Sequence, residues 1–224
     1  MVDQVRKAND TTHTLSRAEC TALLATLRAA NPHPVGALVY HSPFELLVAV
    51  ILSAQATDVG VNRVTPALFA VANSPEALLQ LGEERLCGYI RSIGLYRSKA
   101  RHLLAMCQLL IQAFGGQVPD KREELQRLPG VGRKTANVVL NVAFGQPTLA
   151  VDTHVFRVAR RTGLAQGRSP EAVEQALLQV IELEFLPHAH HWLLLHGRHV
   201  CKARLPLCSS CIIRHHCLRH GVEP

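Results

Sequence analysis

Lys134 is the residue whose type and position best fit covalent chemistry. It follows two glycines and Arg133 in the segment LPGVGRKTANVVL, at the start of a predicted helix. The positive end of the helix dipole and the neighbouring guanidinium both disfavour the charged form of its amine. A neutral amine can attack an electrophilic carbon and form a Schiff base. The segment therefore predicts a lysine nucleophile.

Asp152 is the second residue suited to chemistry. It precedes another predicted helix in the segment LAVDTHVFRVARRTG. Its simplest role is an N-cap, in which the carboxylate accepts hydrogen bonds from free N–H groups of the helix. The alternative is a carboxylate that faces Lys134 across a cleft and stabilises positive charge developing on a sugar. The sequence leaves both roles open.

The glycine segment does not fit a nucleotide-binding P-loop. That loop requires glycines immediately before its lysine and five residues earlier, where this chain has Arg133 and Leu128. A P-loop also follows a buried strand, whereas this segment follows DKREELQRL, a predicted polar helix capped by Asp120. A nucleotide site is therefore not predicted.

The segment instead predicts two helices joined by a tight turn. Gly130 and Gly132 allow the turn and remove side chains that would block close approach. The second helix, over about 133–144, would point free N–H groups and its positive dipole end outward. Such a hairpin can hold a DNA phosphate whatever the base sequence. An ordinary turn between helices with a surface lysine is the alternative.

The C-terminal segment CKARLPLCSSCIIRHHC predicts a metal centre, because four thiolates this close together can surround one. The spacing C-x6-C-x2-C-x5-C fits either a [4Fe–4S] cluster or zinc, and the segment has too few apolar residues to fold without a ligand. The four cysteines are Cys201, Cys208, Cys211 and Cys217. Histidines that could bind zinc in place of a cysteine are His199, His215 and His216. Core residues are predicted at Cys20, Cys87 and Cys107.

The elements that position these residues are predicted to be helical nearly throughout. No segment shows convincing period-two alternation. Ser42, Ser74 and Ser169 each precede a proline and predict helix starts, and Glu45 completes a capping box at the first. Gly115 predicts a helix end. The pattern indicates about ten short helices with tight turns.

Composition narrows the class of protein. Hydrophobic residues make up 48% and charged residues 18% of 224 residues, which indicates a folded chain of one large or two small domains. A net charge of +7 is compatible with a nucleic-acid partner without requiring one. No apolar run spans a bilayer, and the start MVDQVRKANDTTH lacks the apolar core of a signal peptide. These features predict a cytoplasmic protein with reduced thiols.

Taken in order, SAQATD, IGLYRSKA, LPGVGRKTANVVL, VDTHVFRV and the cysteine segment resemble the endonuclease III family of helix–hairpin–helix DNA glycosylases. The resemblance extends from about residue 20 to 218. It implies an all-α fold of two lobes. One is a six-helix barrel over 36–146, with the hairpin at about 122–141; the other joins 1–35 to 147–224. It also implies that the four cysteines hold a [4Fe–4S] cluster.

The activity implied by the resemblance is that of a bifunctional DNA glycosylase and abasic-site lyase. Its substrate would be duplex DNA, lying between the lobes, with a flipped-out oxidised pyrimidine such as thymine glycol, or an abasic site. Lys134 matches the family's nucleophile, which attacks C1′ and forms the Schiff base for β-elimination. Asp152 matches the carboxylate that stabilises the oxocarbenium-like charge. A monomer at the nucleoid, without a membrane partner, is expected.

Further residues match DNA contacts of the family. Gln55 and Leu95 match residues that fill the gap left by the flipped base; their alternatives are a helix-end polar residue and a core leucine. Asp58 is predicted to be a helix cap, and His154 matches a polar residue near the pocket. The remaining predicted DNA contacts are Gly130, Gly132, Arg133, Lys202 and Arg204.

The chain departs from the family pattern at two places. Gln126 stands where some relatives carry an acidic residue, which puts a proton relay there in doubt. The loop KARLPL keeps Lys202 and Arg204 but has leucines at 205 and 207, where relatives often have basic residues. This predicts weaker non-specific DNA binding with a shallower salt dependence.

Three other functions share some of these features. A monofunctional mismatch glycosylase for adenine or thymine has the same fold; the adenine enzymes generally lack a lysine at this position. A non-catalytic iron–sulfur DNA-binding module would not need both Lys134 and Asp152. An electron-transfer protein leaves the hairpin and the basic charge unexplained.

Overall fold

A computed structural model describes residues 13–222 of the chain. The described residues form ten α-helices and two short 3-10 helices and no strand, which confirms the all-α prediction. The polar start of the chain, residues 1–12, lies outside the described residues, as do residues 223–224. Within residues 13–222, no helix has the length and apolar character needed to cross a membrane.

The helices are named in chain order. They are α1 (Arg17–Ala30), α2 (Pro43–Ser53), α3 (Asp58–Phe69), α4 (Pro75–Ile90), α5 (Tyr96–Phe114), α6 (Arg122–Leu125), α7 (Arg133–Phe144), α8 (Thr153–Thr162), α9 (Pro170–Val180) and α10 (Leu186–His199). The 3-10 helices are Cys208–Ser210 and Arg214–His216.

The chain divides into two compact units. The central unit is Gly36–Thr148, with helices α2 to α7. The terminal unit combines the described part of Met1–Val35 with Leu149–Pro224, and contains α1, α8, α9, α10 and both 3-10 helices.

Helix α2 forms the middle of the central unit. Every residue from Phe44 to Leu52 is buried, so the helix is enclosed on all sides and not only along one stripe. It packs against α3, α5 and α7. The same core therefore fixes the end of α2, which leads to Gln55, and the helix α7, which carries Lys134 near its start.

The terminal unit joins both ends of the chain around one core. Leu23 of α1 and Phe185 are fully buried in this core together with residues of α8, α9 and α10. Trp192 packs edge-on against Phe185, and its indole N–H donates to the carbonyl of Asn31 at 2.8 Å. Helix α1 therefore packs in the same core as α8, the helix that Asp152 precedes.

Predicted helix ends are confirmed at several positions. The hydroxyls of Ser42, Ser74 and Ser169 each accept a backbone N–H three residues later, and Gly115 ends α5 in the left-handed conformation. The capping box predicted at Ser42 is not formed. The carboxylate of Glu45 accepts the backbone N–H of His41 at 2.7 Å and contacts the His41 ring, so it does not cap Ser42.

Two other predicted caps are wrong. Helix α3 is capped by Thr57, whose hydroxyl accepts the Gly60 N–H at 3.1 Å, and Asp58 is already the first helical residue. Helix α6 follows Lys121, which makes no side-chain cap, and it is a single turn. Asp120 therefore lies one residue too early to cap it.

The cysteines outside the C-terminal segment lie in the core, as predicted. Cys20 and Cys107 are fully buried, and Cys87 is half-buried against the core of the central unit. Burial raises the pKa of the Cys107 thiol to about 12 and that of Cys20 to about 11. Both therefore stay protonated at neutral pH.

Candidate active site

The turn between α6 and α7 is tight, as the sequence predicts. The Val131 N–H donates to the carbonyl of Leu128 at 3.0 Å and closes it. Gly130 has φ +82°, and a Cβ there would lie 3.2 Å from Cβ of His102. The positive φ therefore favours glycine at this position, and the tight contact with His102 leaves little room for a side chain.

Gly132 differs from its predicted role in the turn. Its backbone is extended, with φ −88°, and a Cβ would meet nothing within 4 Å. It is instead the N-cap of α7, and no side chain caps the first turn of this helix. Arg133 and Lys134 are the first two residues of this helix, half-buried and exposed respectively. The helix start can therefore hold an anion from outside beside the exposed lysine.

Asp152 is the N-cap of α8, which confirms the simpler of its two predicted roles. Its Oδ1 accepts the N–H groups of His154 and Val155, both at 2.8 Å. Within residues 13–222, no hydrogen bond is made to Oδ2. One carboxylate oxygen thus fixes the orientation of the group while the other stays available. Capping and catalysis, which the sequence presents as alternatives, are compatible here.

Arg157 ties the start of α8 to the cysteine segment. It donates to the carbonyls of Gly197 and Cys201 at 2.8 and 3.0 Å, and it lies 3.2 Å from Nδ1 of His154. Because a guanidinium has no acceptor, Nδ1 of His154 must accept this hydrogen bond. A Cβ at Gly197 would lie 2.8 Å from Cβ of His154, so glycine allows α10 to approach α8 closely.

Arg161, one turn later, holds the loop that begins at Cys201. Its guanidinium donates to the carbonyls of Lys202 and Ala203 at 2.7 and 2.8 Å, and lies 3.8 Å from Sγ of Cys201. The side chains of Lys202 and Arg204 remain exposed. Sequence reasoning missed both α8 arginines. Their spacing of four residues, which places them on one helix face, was the available signal.

The structure brings the four predicted ligand cysteines together as free, partly buried thiols. Burial raises the pKa of Cys211 and of Cys217, and each is raised further by the other nearby thiols of the group. The backbone N–H groups of Ile213 and Arg219 donate to these two sulfurs and oppose the increase. In the described range, no three His, Cys, Asp or Glu side chains are arranged to hold a single metal ion.

The histidine beside the cysteines is His196, which the sequence did not single out. Its Nε2 lies 3.6 Å from Sγ of Cys211, and burial lowers its pKa to about 4. It is therefore neutral at physiological pH. The predicted zinc alternatives do not come within hydrogen-bonding distance of a cysteine sulfur in the described part of the chain; they are His199, His215 and His216.

Gln55 and Leu95 both lie in exposed turns with left-handed backbone. Their φ angles are +55° and +59°, which is unusual for residues other than glycine. Leu95 is 62% exposed, so the alternative of a core leucine is wrong. A Cβ at Gly94 would lie 3.7 Å from the carbonyl oxygen of Gln55. The two turns therefore lie side by side.

Comparison with known proteins identifies the family. Residues 48–183 match the model for the HhH-GPD superfamily base excision DNA repair protein. The chain is 55% identical over 203 residues to an endonuclease III of Escherichia coli (strain K12), covering 91% of this chain and 96% of that relative. It is 59% identical over 187 residues to an endonuclease III of Rickettsia conorii, covering 84% and 89%.

Solved structures agree with this assignment. A trapped endonuclease III–DNA covalent intermediate superimposes with a TM-score of 0.86 at 45% identity, over 92% of this chain and 97% of that one. A thermostable thymine-DNA glycosylase has the same fold, with a TM-score of 0.80 at 22% identity. The chain therefore belongs to the HhH-GPD superfamily of base excision DNA repair proteins, and within it to the endonuclease III family.

Proposed function

We propose that this protein is a bifunctional DNA glycosylase and abasic-site lyase that removes oxidised pyrimidines, such as thymine glycol, from duplex DNA. The observation that carries the proposal is the exposed Lys134 in the first, uncapped turn of α7. It stands in a chain 55% identical to a bacterial endonuclease III.

Lys134 is the proposed nucleophile. The lone pair of its neutral amine attacks C1′ of the flipped nucleotide, and the glycosidic bond breaks with its electron pair leaving on the base, which takes up a proton. Loss of a proton from nitrogen and opening of the sugar give the Schiff base. Loss of a proton from C2′ then allows the C3′–O bond to break, and the 3′ phosphate leaves. Water hydrolyses the Schiff base and frees the lysine.

Asp152 is the proposed electrostatic partner of the reacting sugar. Its Oδ1 is held by two backbone N–H groups at 2.8 Å, which fix the carboxylate in one orientation. Oδ2 is then the atom that stabilises the positive charge developing at C1′ and assists proton transfer. That this carboxylate faces Lys134 remains a prediction.

The hairpin and the two left-handed turns are proposed to hold the DNA. The first turn of α7, which no side chain caps, binds a backbone phosphate through its N–H groups, and Gly132 offers no side chain to block the approach. Leu95 inserts its exposed apolar side chain into the base stack, and Gln55 occupies the place of the flipped base. His154 and Arg133 are each proposed to contact the DNA as well.

The four clustered cysteines are proposed to hold a [4Fe–4S] cluster, with the terminal unit as the cluster domain and the central unit as the six-helix barrel. Backbone N–H groups directed at the sulfurs favour thiolates. When bound, the cluster cross-links the C-terminal segment.

The cluster assignment predicts the metal content. Anaerobically purified protein is expected to contain about four iron and four sulfide per chain, because one cubane is held by four cysteines. Cys208→Ser is expected to lose most of this iron. Cys87→Ser, which alters a half-buried cysteine of the other unit, is the matched control and should keep it. One zinc per chain without iron would contradict the assignment.

The loop that Arg161 holds predicts a measurable effect of charge on DNA binding. Leu205 is 79% exposed and Leu207 44% exposed, so lysines can be placed there without disturbing the core. The double variant Leu205→Lys, Leu207→Lys is expected to steepen the slope of log K against log salt by up to about 2, since each new phosphate contact adds about 0.9. Fluorescence anisotropy on undamaged duplex measures the slope.

The control for this measurement is Leu183→Lys, which adds a charge at an exposed leucine of the same unit outside the loop. It is expected to leave the slope close to that of the wild type. If the double variant and the control have equal slopes, the loop does not contact the DNA backbone.

The activity itself is tested by incubating the protein with duplex DNA carrying one thymine glycol, with and without sodium borohydride. A nicked strand, and a covalent complex only with the reductant, are the expected results. Base release without a complex would instead indicate a monofunctional glycosylase. DNA binding without base release or nicking, on thymine glycol or abasic duplex, would indicate a non-catalytic module.

A further inference from the structure

Lys99 is an unusual residue of the central unit because it is a buried lysine. It lies in the first turn of α5 and is only 5% exposed. Lysine is rarely buried in folded proteins. The positive end of the α5 dipole also disfavours a cation in this turn. Burial lowers the pKa of its amine, which shows the same cost. A compensating interaction is therefore required.

That interaction is at the end of another helix. Nζ of Lys99 donates to the carbonyl of Leu52 at 2.9 Å, in the last turn of α2. A helix C-terminus carries partial negative charge and carbonyls without helical partners, so a cation is favoured there. The ammonium of Lys99 is thus stabilised by α2 while it is disfavoured by α5.

The carbonyls at the end of α2 show why Lys99 is needed. The carbonyl of Val50 accepts the Ser53 hydroxyl at 2.8 Å, and that of Ile51 accepts the Ala54 N–H at 3.4 Å. The carbonyl of Ser53 accepts the Ala56 N–H, so this N–H does not continue the helix to Leu52. Within residues 13–222, the carbonyl of Leu52 is left for Lys99. The amine therefore completes the helix end at which the chain turns away toward Gln55.

The same lysine is connected to the second turn. Its backbone N–H donates to the carbonyl of Leu95 at 3.0 Å, the first hydrogen bond of α5. Leu52 is three residues before Gln55, and Gly94, beside Leu95, packs against the Gln55 carbonyl. One residue thus joins the two exposed turns through its backbone on one side and its side chain on the other.

We propose that Lys99 is a positioning residue that holds Gln55 and Leu95 together as one unit for insertion into DNA. This inference rests on the proposed function. Left-handed backbone at two residues other than glycine persists only where the surroundings hold it. The Lys99–Leu52 hydrogen bond connects the end of α2, which leads to Gln55, with the first turn of α5, which follows Leu95. Its loss lets the turns relax independently, so that the two side chains no longer enter the duplex together.

The test is a double-mutant cycle between Lys99→Met and Leu95→Ala. Methionine keeps the buried length of the side chain and removes the donor. Lys99→Met alone is expected to lower single-turnover removal of thymine glycol about tenfold. In the Leu95→Ala background, Lys99→Met is expected to lower this rate by less than about a further twofold, because the effects of two residues that act as a unit are not additive. A purely structural effect would instead multiply with that of Leu95→Ala.

Two further measurements separate positioning from stability. Nicking of duplex that already contains an abasic site depends less on the insertion of Leu95 and Gln55. The rate of this nicking is expected to fall less than about threefold in Lys99→Met. Arg85→Met removes an exposed cation of α4 and is the matched control, with both rates unchanged. If Lys99→Met does not fold, as judged by circular dichroism, Lys99→Leu, which also removes the donor, is taken through the same cycle with the same expected results.

The outcomes distinguish this inference from the proposed function. Equal losses on both substrates, or multiplicative effects in the cycle, with an active wild type would overturn the role of Lys99 and leave the function standing. A wild type that neither releases thymine glycol nor nicks abasic DNA would overturn both.

Discussion

Lys134→Ala is expected to lose both the borohydride-trapped complex and the nicked strand, with each rate lowered at least about 10³-fold. The amine is the group that becomes bonded to C1′, and the methyl group of alanine cannot replace it. Lys134 is exposed, so the substitution leaves no cavity and the protein should keep its fold. Single-turnover kinetics on thymine glycol duplex, with gel analysis of the trapped complex, measure both effects.

The matched control for this variant is Lys121→Ala. Lys121 is an exposed lysine of the same unit whose amine lies 3.4 Å from the carboxylate of Glu124. It is expected to retain trapping and nicking within about twofold, since exposed ion pairs contribute little. If Lys134→Ala were still trapped at the wild-type rate, another amine would be the nucleophile.

Asp152→Asn is expected to separate the two roles of this carboxylate. Asparagine is as good an N-cap as aspartate, so its side-chain oxygen can still accept the N–H groups of His154 and Val155. The free energy of unfolding should change by less than about 0.5 kcal/mol. Base release should nevertheless fall about 10²- to 10³-fold, because the negative charge that stabilises the reacting sugar is gone.

Asp152→Ala provides the comparison. It removes the cap as well as the charge, and it is expected to lower the free energy of unfolding by about 1 kcal/mol more than the asparagine variant. Urea denaturation measures this difference, and single-turnover assays measure the chemistry. If the Asp152→Asn variant releases the base at the wild-type rate, the residue is only a helix cap.

Helix boundaries set by local chemistry are the part of the fold that the sequence predicts well. Residues within one turn of each other determine the extent of α7 and the serine–proline helix starts at Ser42, Ser74 and Ser169. Errors occur where two neighbouring residues can play the same part. Thr57 and Asp58 are both capping types, and the chain selects the first.

The contacts that position the site could not be predicted in the same way. Arg157 and Arg161 bind carbonyls about forty residues away in sequence, and Lys99 binds one forty-seven residues away. Any arginine or lysine can bind any free carbonyl, so the sequence does not specify the pair. The exposure of Leu95 could be inferred from the glycine before it, but its left-handed backbone could not.

The start of α7 has a consequence for engineering the stability of this protein. Gly132 has ordinary extended backbone and open space around its missing side chain, so serine would fit there without strain. Its hydroxyl would cap the helix and raise the unfolding free energy by a few tenths of a kcal/mol. It would also occupy the N–H groups that a DNA phosphate would otherwise bind. Selection for thermal tolerance and selection for substrate affinity would therefore favour different residues at position 132.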